Sequence, residues 1–179
     1  GKPARNGTLH TLRCSAGNTS VLVQLKPSVV VEEGWGSAHT RAVAFTRGPL
    51  VFALAPAEKR LVAQAFDAVP ARPHAPDWTI STAATWNYAI VRSEGVAFDA
   101  KPSAEWTPSF AFDDHGGRHP FSILVTGCAV RRWSYLPSSN ITAAPPPSPI
   151  DASACGASEQ LRLVPFGSTN IRIAVFPWV

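Results

Sequence analysis

The stretch AVAFTRGPLVFAL, from Ala42 to Leu54, decides the fold class of this chain. It is the most apolar segment of the sequence and is rich in residues that favour β-strands, yet the triplet Arg-Gly-Pro interrupts it. Proline cannot donate a hydrogen bond to a neighbouring strand, and Gly48 can adopt backbone conformations that other residues avoid. We therefore expect a strand that bends or bulges at Gly48 and Pro49 and then resumes.

Arg47, just before this predicted bend, has two interpretations. In the first it pairs with a carboxylate or a carbonyl at a domain boundary, and in the second it is a solvated charge at a sheet edge. The apolar flanks favour the first interpretation, because a charge among apolar residues needs a partner.

Strand patterns continue through most of the chain. About nine short segments, separated by turns rich in Gly, Pro and Ser, predict an all-β fold, an antiparallel β-sandwich or jelly roll. The clearest segments are SVLVQL (Ser20–Leu25), VVVEE (Val29–Glu33), WNYAIV (Trp86–Val91) and FSILVTGCAV (Phe121–Val130).

The last two segments, QLRLVPF (Gln160–Phe166) and NIRIAVF (Asn170–Phe176), predict a β-hairpin. In each of them an arginine stands between apolar residues, and the intervening residues Gly167, Ser168 and Thr169 are typical of a turn.

Three segments depart from the strand pattern. PAEKRLVAQAF (Pro56–Phe66) has the only helical spacing, and it is short enough that a helical turn and a loop are both open. Two proline-rich loops, Val69–Trp78 and Pro137–Gly156, are too apolar for free linkers, so we expect both to pack on the sandwich.

Composition excludes several classes of protein. The 179 residues, 45% hydrophobic and 16% charged, suit a single domain spanning residues 1–179. The 16 Lys and Arg residues are scattered and the net charge is only +4, which argues against a nucleic-acid-binding protein. No apolar run approaches the roughly 20 residues of a membrane-spanning helix, so we expect a soluble mature chain or a fragment.

Three of the five asparagines, Asn6, Asn18 and Asn140, open N-glycosylation sequons, which favours a secreted or extracellular glycoprotein. Cys14, Cys128 and Cys155 fit an oxidising compartment as candidate disulfide partners. Because the number of cysteines is odd, one thiol would stay free or would pair with a cysteine outside this chain. The alternative is that all three cysteines are buried, unreactive thiols.

The sequence offers weak candidate sites. The segment DDHGGRH (Asp113–His119) collects metal-ligand residue types, but a solvated loop is favoured, and we predict no metal and no cofactor. Trp35 and Trp106 have loop-like settings suited to stacking on a glycan, although covering sheet ends is the favoured role. Trp86 and Trp133 lie in strand patterns and are predicted to be core or sheet-covering residues.

Catalytic patterns are missing from the sequence. Glycoside hydrolysis needs two carboxyl groups held across a cleft, whereas Glu32 and Glu33 are adjacent and would face opposite sides of a strand. The sequence also lacks the Gly-x-Ser-x-Gly pattern of a nucleophile elbow. We therefore predict that this chain alone is not an enzyme.

The order of several motifs resembles the C-terminal region of glycoside hydrolase family 127, the non-reducing-end β-L-arabinofuranosidase-like proteins. The resemblance covers roughly Gly1–Pro177, and none of its motifs is catalytic. Its most specific elements, used here as structural family markers, are Arg47-Gly48-Pro49-Leu50, Trp86-Asn87-Tyr88-Ala89 and Val164-Pro165-Phe166-Gly167-Ser168-Thr169.

The resemblance implies that this chain corresponds to the β-sandwich that follows a helical (α/α)6 barrel. In the family the chemistry is attributed to that barrel, with a cysteine nucleophile, a zinc site and a glutamate acid/base. None of these roles transfers to Cys14, Cys128 or Cys155. The GKP start resembles the middle of a strand pair, so we expect a C-terminal or processed fragment.

Together these patterns predict a non-catalytic accessory domain of a secreted glycoside hydrolase-like protein. Its expected partner is the upstream portion of the same protein or a separate processed chain, which would cover an apolar surface. The alternatives are a carbohydrate-binding module, with a glycan partner, and a structural extracellular glycoprotein. Neither nucleic acid nor a membrane is an expected partner.

Overall fold

The computed structural model describes residues 11, 16–22, 27–34, 40–64, 77–100, 121–139 and 141–179. The regular secondary structure of these residues comprises nine β-strands and two short 3₁₀ turns, at Ala152–Ala154 and Phe166–Ser168. The strands are β1 (Val29–Glu33), β2 (Val43–Arg47), β3 (Leu50–Leu54), β4 (Lys59–Gln64), β5 (Asp77–Ser81), β6 (Tyr88–Ile90), β7 (Ala97–Ala100), β8 (Phe121–Val130) and β9 (Cys155–Pro165).

Seven of these strands form one curled antiparallel sheet in the order β1-β2-β3-β9-β8-β6, with β7 also paired to β8. Strands β4 and β5 form a separate antiparallel pair. The predicted all-β, antiparallel fold is therefore confirmed. A second stacked sheet is not established within the described residues, so the sandwich or jelly roll remains a prediction.

The interrupted stretch forms a tight β-hairpin, and the predicted bend or bulge within one strand is wrong. Arg47 pairs with Leu50, so that only Gly48 and Pro49 form the turn. Gly48 has φ +59°, whereas proline is confined to negative φ. Positive φ at the first turn position alone defines a type II′ turn, whose twist matches that of antiparallel strands. The chain therefore reverses at the triplet instead of continuing.

Alternate residues of five strands point into the curl and form its main core. Phe45 and Phe52 lie directly opposite each other in β2 and β3, and both are buried. Burying such large apolar side chains supplies the main driving force for folding, about 1.5–3 kcal/mol for each. The core residues are Val43, Phe45, Phe52, Leu54, Tyr88, Ile90, Ile123, Val125, Leu161, Leu163 and Phe176.

The C-terminal residues close this core, and the predicted terminal hairpin is wrong. Both edges of β9 are already occupied, one by β3 and the other by β8. The following segment bonds elsewhere: Ile173 exchanges backbone hydrogen bonds with Leu54, and Phe176 exchanges them with Val43. It thus fills the gap where β2 and β3 separate, and it then reaches β6 through Pro177 and Val179, which bond to Ile90.

The prediction of a helical turn or a loop at Pro56–Phe66 is also wrong, because Lys59–Gln64 forms strand β4 and pairs with β5. A short helix needs a buried apolar face to be stable in water. Leu61, which would belong to that face, is 52% exposed. Pairing with β5 satisfies the backbone without such a face.

The other strand predictions differ in accuracy. The predicted bounds of β1 and β8 match the structure, whereas only Tyr88–Ile90 of the segment Trp86–Val91 forms a strand. Ser20–Leu22 has no strand structure, and the rest of that predicted strand lies outside the described residues. The proline-rich loop Val69–Trp78 also lies outside them, except for the start of β5 at Asp77.

A second cluster covers the outer face of the sheet where β6 and β8 meet. Trp86 and Trp133 are buried there edge to face, with ring centroids 5.2 Å apart, in agreement with their prediction as core or sheet-covering residues. Asn87 donates from Nδ2 to the carbonyls of Val130 and Trp133, at 2.8 and 2.7 Å, and so fixes the turn after β8.

The loop from Pro137 onward packs against this cluster, as predicted for its described residues. Trp133 Nε1 donates to the Ala143 carbonyl at 2.9 Å, and Ile150 packs against the cluster. The loop ends earlier than predicted, because β9 already begins at Cys155. Cys155 is joined to buried Cys128 by a disulfide, with Cα atoms 5.4 Å apart.

Candidate functional site

An open apolar groove of about 550 Å³ lies at the hairpin end of the curled sheet. Three parts of the chain form it: the β2–β3 turn, the 3₁₀ turn after β9, and the C-terminal segment. The lining residues are Pro49, Leu50, Val51, Pro165, Phe166, Gly167, Ala174 and Val175.

Local backbone structure positions these groups. The type II′ turn ends at Pro49, and the following residue Leu50 begins β3. Pro165 pairs with Phe52 at the end of β9 and is buried, whereas the next residue, Phe166, is 40% exposed. An exposed phenylalanine beside an apolar groove is the kind of surface that a partner protein covers.

Two arginines stack on phenylalanine rings near the two sides of the groove. The Arg172 guanidinium carbon lies 4.8 Å from the centroid of Phe166, and Arg172 Nε donates to the Thr169 carbonyl. Arg47, the cross-strand partner of Leu50, lies 3.9 Å from the centroid of Phe98. This cation–π contact is an interaction that the sequence did not predict, and the two interpretations of Arg47 drawn from the sequence stay predictions.

Glu58 holds the chain just beyond the 3₁₀ turn. Its carboxylate accepts hydrogen bonds of 2.9 Å from the backbone N–H groups of Asn170 and Ile171 and from the Asn170 side chain, and one of 3.2 Å from the Thr169 hydroxyl. Burial alone would raise the pKa of Glu58, but these hydrogen bonds outweigh it and lower the pKa to about 2. Glu58 is therefore ionised near neutral pH and stabilises the loop that carries Arg172.

Among the residues that the structure describes, the lining carries no hydroxyl, amide or charged side chain. Sugars are bound by several convergent polar groups together with an apolar surface, and the lining of this groove supplies only the second. The described part of the lining also holds no nucleophile and no acid/base group. The arrangement suits the burial of apolar side chains with an arginine alongside.

The structure brings most of the predicted family markers together. Pro49 and Gly167 line the groove, and Arg47 and Gly48 belong to the hairpin that shapes it. Trp86 lies apart from them in the second cluster. Sequence order alone did not predict that the Arg-Gly-Pro-Leu and Pro-Phe-Gly motifs meet.

The other predicted site residues lie away from the groove or outside the described residues. Asn18 is described and exposed. The disulfide uses Cys128 and Cys155. The remaining predicted positions lie outside the described residues: Asn6, Cys14, Trp35, Trp106, Asp113–His119 and Asn140.

Sequence reasoning missed Glu58, Arg172 and the C-terminal residues Ala174 and Val175. The available signal for Glu58 was the Gly-Ser-Thr-Asn sequence near residue 168, because turns with exposed N–H groups attract carboxylates. Nothing local in the sequence identified which of the acidic residues would bind there.

In the described ranges, no three His, Cys, Asp or Glu side chains come together in a way that suits a metal ion. The same ranges contain no helix with the length and apolar character needed to cross a membrane.

Comparison with known proteins gave no match to a family model, a curated protein or a solved structure. The resemblance to glycoside hydrolase family 127 therefore rests on the sequence motifs.

Proposed function

We propose that this chain is a non-catalytic accessory β-domain of a secreted glycoside hydrolase-like protein, similar to the β-L-arabinofuranosidases of family 127. Its role is to pack on a helical barrel, contributed by the same protein or by a separate processed chain, and to stabilise that barrel. The apolar groove is the docking surface in this proposal.

The observation that carries the proposal is the convergence of two markers on one surface. The hairpin containing Arg47, Gly48, Pro49 and Leu50 and the turn containing Pro165, Phe166 and Gly167 are distant in sequence, yet they line the same apolar groove. An apolar lining without polar side chains favours a protein partner over a soluble sugar.

Two observations support the secretory part of the proposal. Disulfides such as Cys128–Cys155 form and persist in oxidising compartments. The sequon asparagine Asn18 is exposed, as attachment of a glycan requires.

The test is the intact mass of the protein recovered from cells that secrete it, measured under native and denaturing conditions. We expect the chain either within a larger polypeptide or held non-covalently by one that contains a helical barrel. A native mass near 19.1 kDa plus glycans, showing a lone chain, would contradict the proposal.

The competing proposal is a carbohydrate-binding or structural extracellular glycoprotein module. Binding of the lone chain to immobilised glycans would favour a carbohydrate-binding module, and loss of that binding in Trp35→Ala or Trp106→Ala would identify the surface used. Several unrelated protein partners on different faces, without a barrel, would favour a structural module.

A further inference from the structure

We propose that the groove binds a polypeptide segment that presents apolar side chains beside a carboxylate, and that Arg172 is the partner of this carboxylate. The inference rests on the proposed function, because it specifies the chemistry of the barrel segment that docks there. Its basis is the combination of an apolar groove with an arginine fixed at its rim.

The groove requires more than one apolar group to fill it. Its volume of about 550 Å³ falls within the range of roughly 300–1,000 Å³ that is typical of binding pockets. Phe166, 40% exposed, offers a ring face or edge to the incoming side chains. A segment with several neighbouring apolar residues matches this lining.

Arg172 gives the site its charge preference. Its Nε is held by the Thr169 carbonyl and its guanidinium lies over Phe166, so the side chain is positioned before a partner arrives. It forms no ion pair with any residue that the structure describes. Arginine binds carboxylates through two parallel hydrogen bonds, which makes an acidic group the matching ligand.

A second copy of this chain matches the site less well. A two-fold contact through the groove brings the same surface patch of both copies together, and therefore places the two Arg172 side chains near each other. Like charges at such a contact repel. The charge of the rim thus favours a different, acidic partner segment.

The test uses the full chain, labelled with ¹⁵N, and two peptide probes. The probes are Ac-Leu-Phe-Glu-Leu-Glu-NH₂ and its neutral analogue Ac-Leu-Phe-Gln-Leu-Gln-NH₂, and binding is followed by NMR chemical-shift changes. We expect the acidic peptide to bind about tenfold more tightly, which corresponds to one charge-assisted hydrogen bond.

Variants assign this preference to the groove. Arg172→Gln should remove the difference between the peptides, Phe166→Ser should weaken both, and Arg131→Gln, an exposed charge elsewhere, should change neither. An unchanged thermal midpoint shows that each variant is folded.

Three outcomes overturn the inference: equal binding of the two peptides, binding of neither, or an acidic preference that persists in Arg172→Gln. Stronger, Arg172-dependent binding to phosphatidylserine vesicles would instead assign the site to a lipid surface. The intact-mass experiment stays independent, because a barrel partner recovered there upholds the proposed function even if the peptides show no charge preference.

Discussion

Glu58 ties together two parts of the chain that are more than a hundred residues apart. Its carboxylate satisfies backbone N–H groups of Asn170 and Ile171 that belong to neither a helix nor a paired strand. A carboxylate suits this position because it accepts several hydrogen bonds at once and donates none. One acidic side chain thereby fixes the approach of the C-terminal segment to the sheet.

Replacing Glu58 by glutamine should destabilise the protein by about 1–3 kcal/mol. The amide N–H group replaces the oxygen that accepts from Asn170 Nδ2, so that hydrogen bond is lost, and the backbone N–H groups of Asn170 and Ile171 then donate to a neutral oxygen instead of a charged one. Urea denaturation followed by tryptophan fluorescence measures the change. Glu94→Gln is the matched control, since the carboxylate of the exposed Glu94 accepts, from the described part of the chain, a single hydrogen bond from Thr126. Equal effects of the two substitutions would contradict the role of Glu58.

The same carboxylate should make stability depend on pH in acid. The pKa of Glu58 is lowered from 4.5 to about 2, because its hydrogen bonds outweigh the opposing effect of burial. A folded-state pKa below the unfolded value means that the stabilisation is complete above about pH 4.5 and disappears as the pH falls toward 2. The stability difference between the wild type and Glu58→Gln should shrink over that range. A difference that stays constant would argue against the shifted pKa.

The hydroxyl of Tyr88 should ionise at an unusually high pH. Burial, followed by the hydrogen bond and the charge of Glu159, raises the pKa of Tyr88 above its ordinary value of 10.0. Because the chain has only two tyrosines, an absorbance titration near 295 nm can resolve this group. Tyr88→Phe should remove the absorbance change that occurs at the highest pH. Glu159→Gln should move this change to lower pH, and Tyr135→Phe should leave it in place. If the high-pH absorbance change persists in Tyr88→Phe, it does not come from Tyr88.

At the scale of elements, the β2–β3 turn depends on the conformation of Gly48. Its φ of +59° is unfavourable for residues with a Cβ, and an added Cβ would meet Pro27 only at an ordinary 3.5 Å. Gly48→Ala should therefore cost about 1–2 kcal/mol through backbone strain and not through a clash. Gly95→Ala, a site with open space and no positive φ, is the control and should have little effect on the urea midpoint. Similar midpoints for both variants would exclude this turn geometry.

The sequence predicted the positions of strands well where the residue pattern is local. It did not predict which strands pair with each other. The bounds of β8 could be predicted from its ten-residue, largely apolar sequence. The segments on either side of Gly167 also have strand patterns, but β9 is bonded on both edges by β3 and β8, so the later segment pairs with β2, β3 and β6 instead. A pattern describes the faces of a strand and says nothing about which edges are free.

At the scale of the whole molecule, the C-terminal segment and a few side chains hold the curled sheet closed. Residues 173–179 bond to β2, β3 and β6, so they link strands from both ends of the sheet order. Arg92, after β6, pairs with Glu33 at the end of β1 and lies 4.8 Å from the Trp178 ring centroid. The groove depends on this closure, because Ala174 and Val175 form one of its walls. The sequence motifs predicted the hairpin side of the groove, but its C-terminal wall requires the long-range pairing.

The Cys128–Cys155 disulfide should contribute to the stability of the whole fold. It closes a segment of 27 residues that includes the loop covering the Trp86–Trp133 cluster. Loss of the link should lower stability by about 2–4 kcal/mol, because the unfolded chain gains freedom. We expect the double variant Cys128→Ala/Cys155→Ala to lower the urea midpoint as much as reduction of the wild type does. Non-reducing peptide mapping should show this linked pair also in Cys14→Ala, which serves as the control. Peptides that link Cys14 to either residue, or a midpoint unaffected by reduction, would show that a different pairing holds the molecule together.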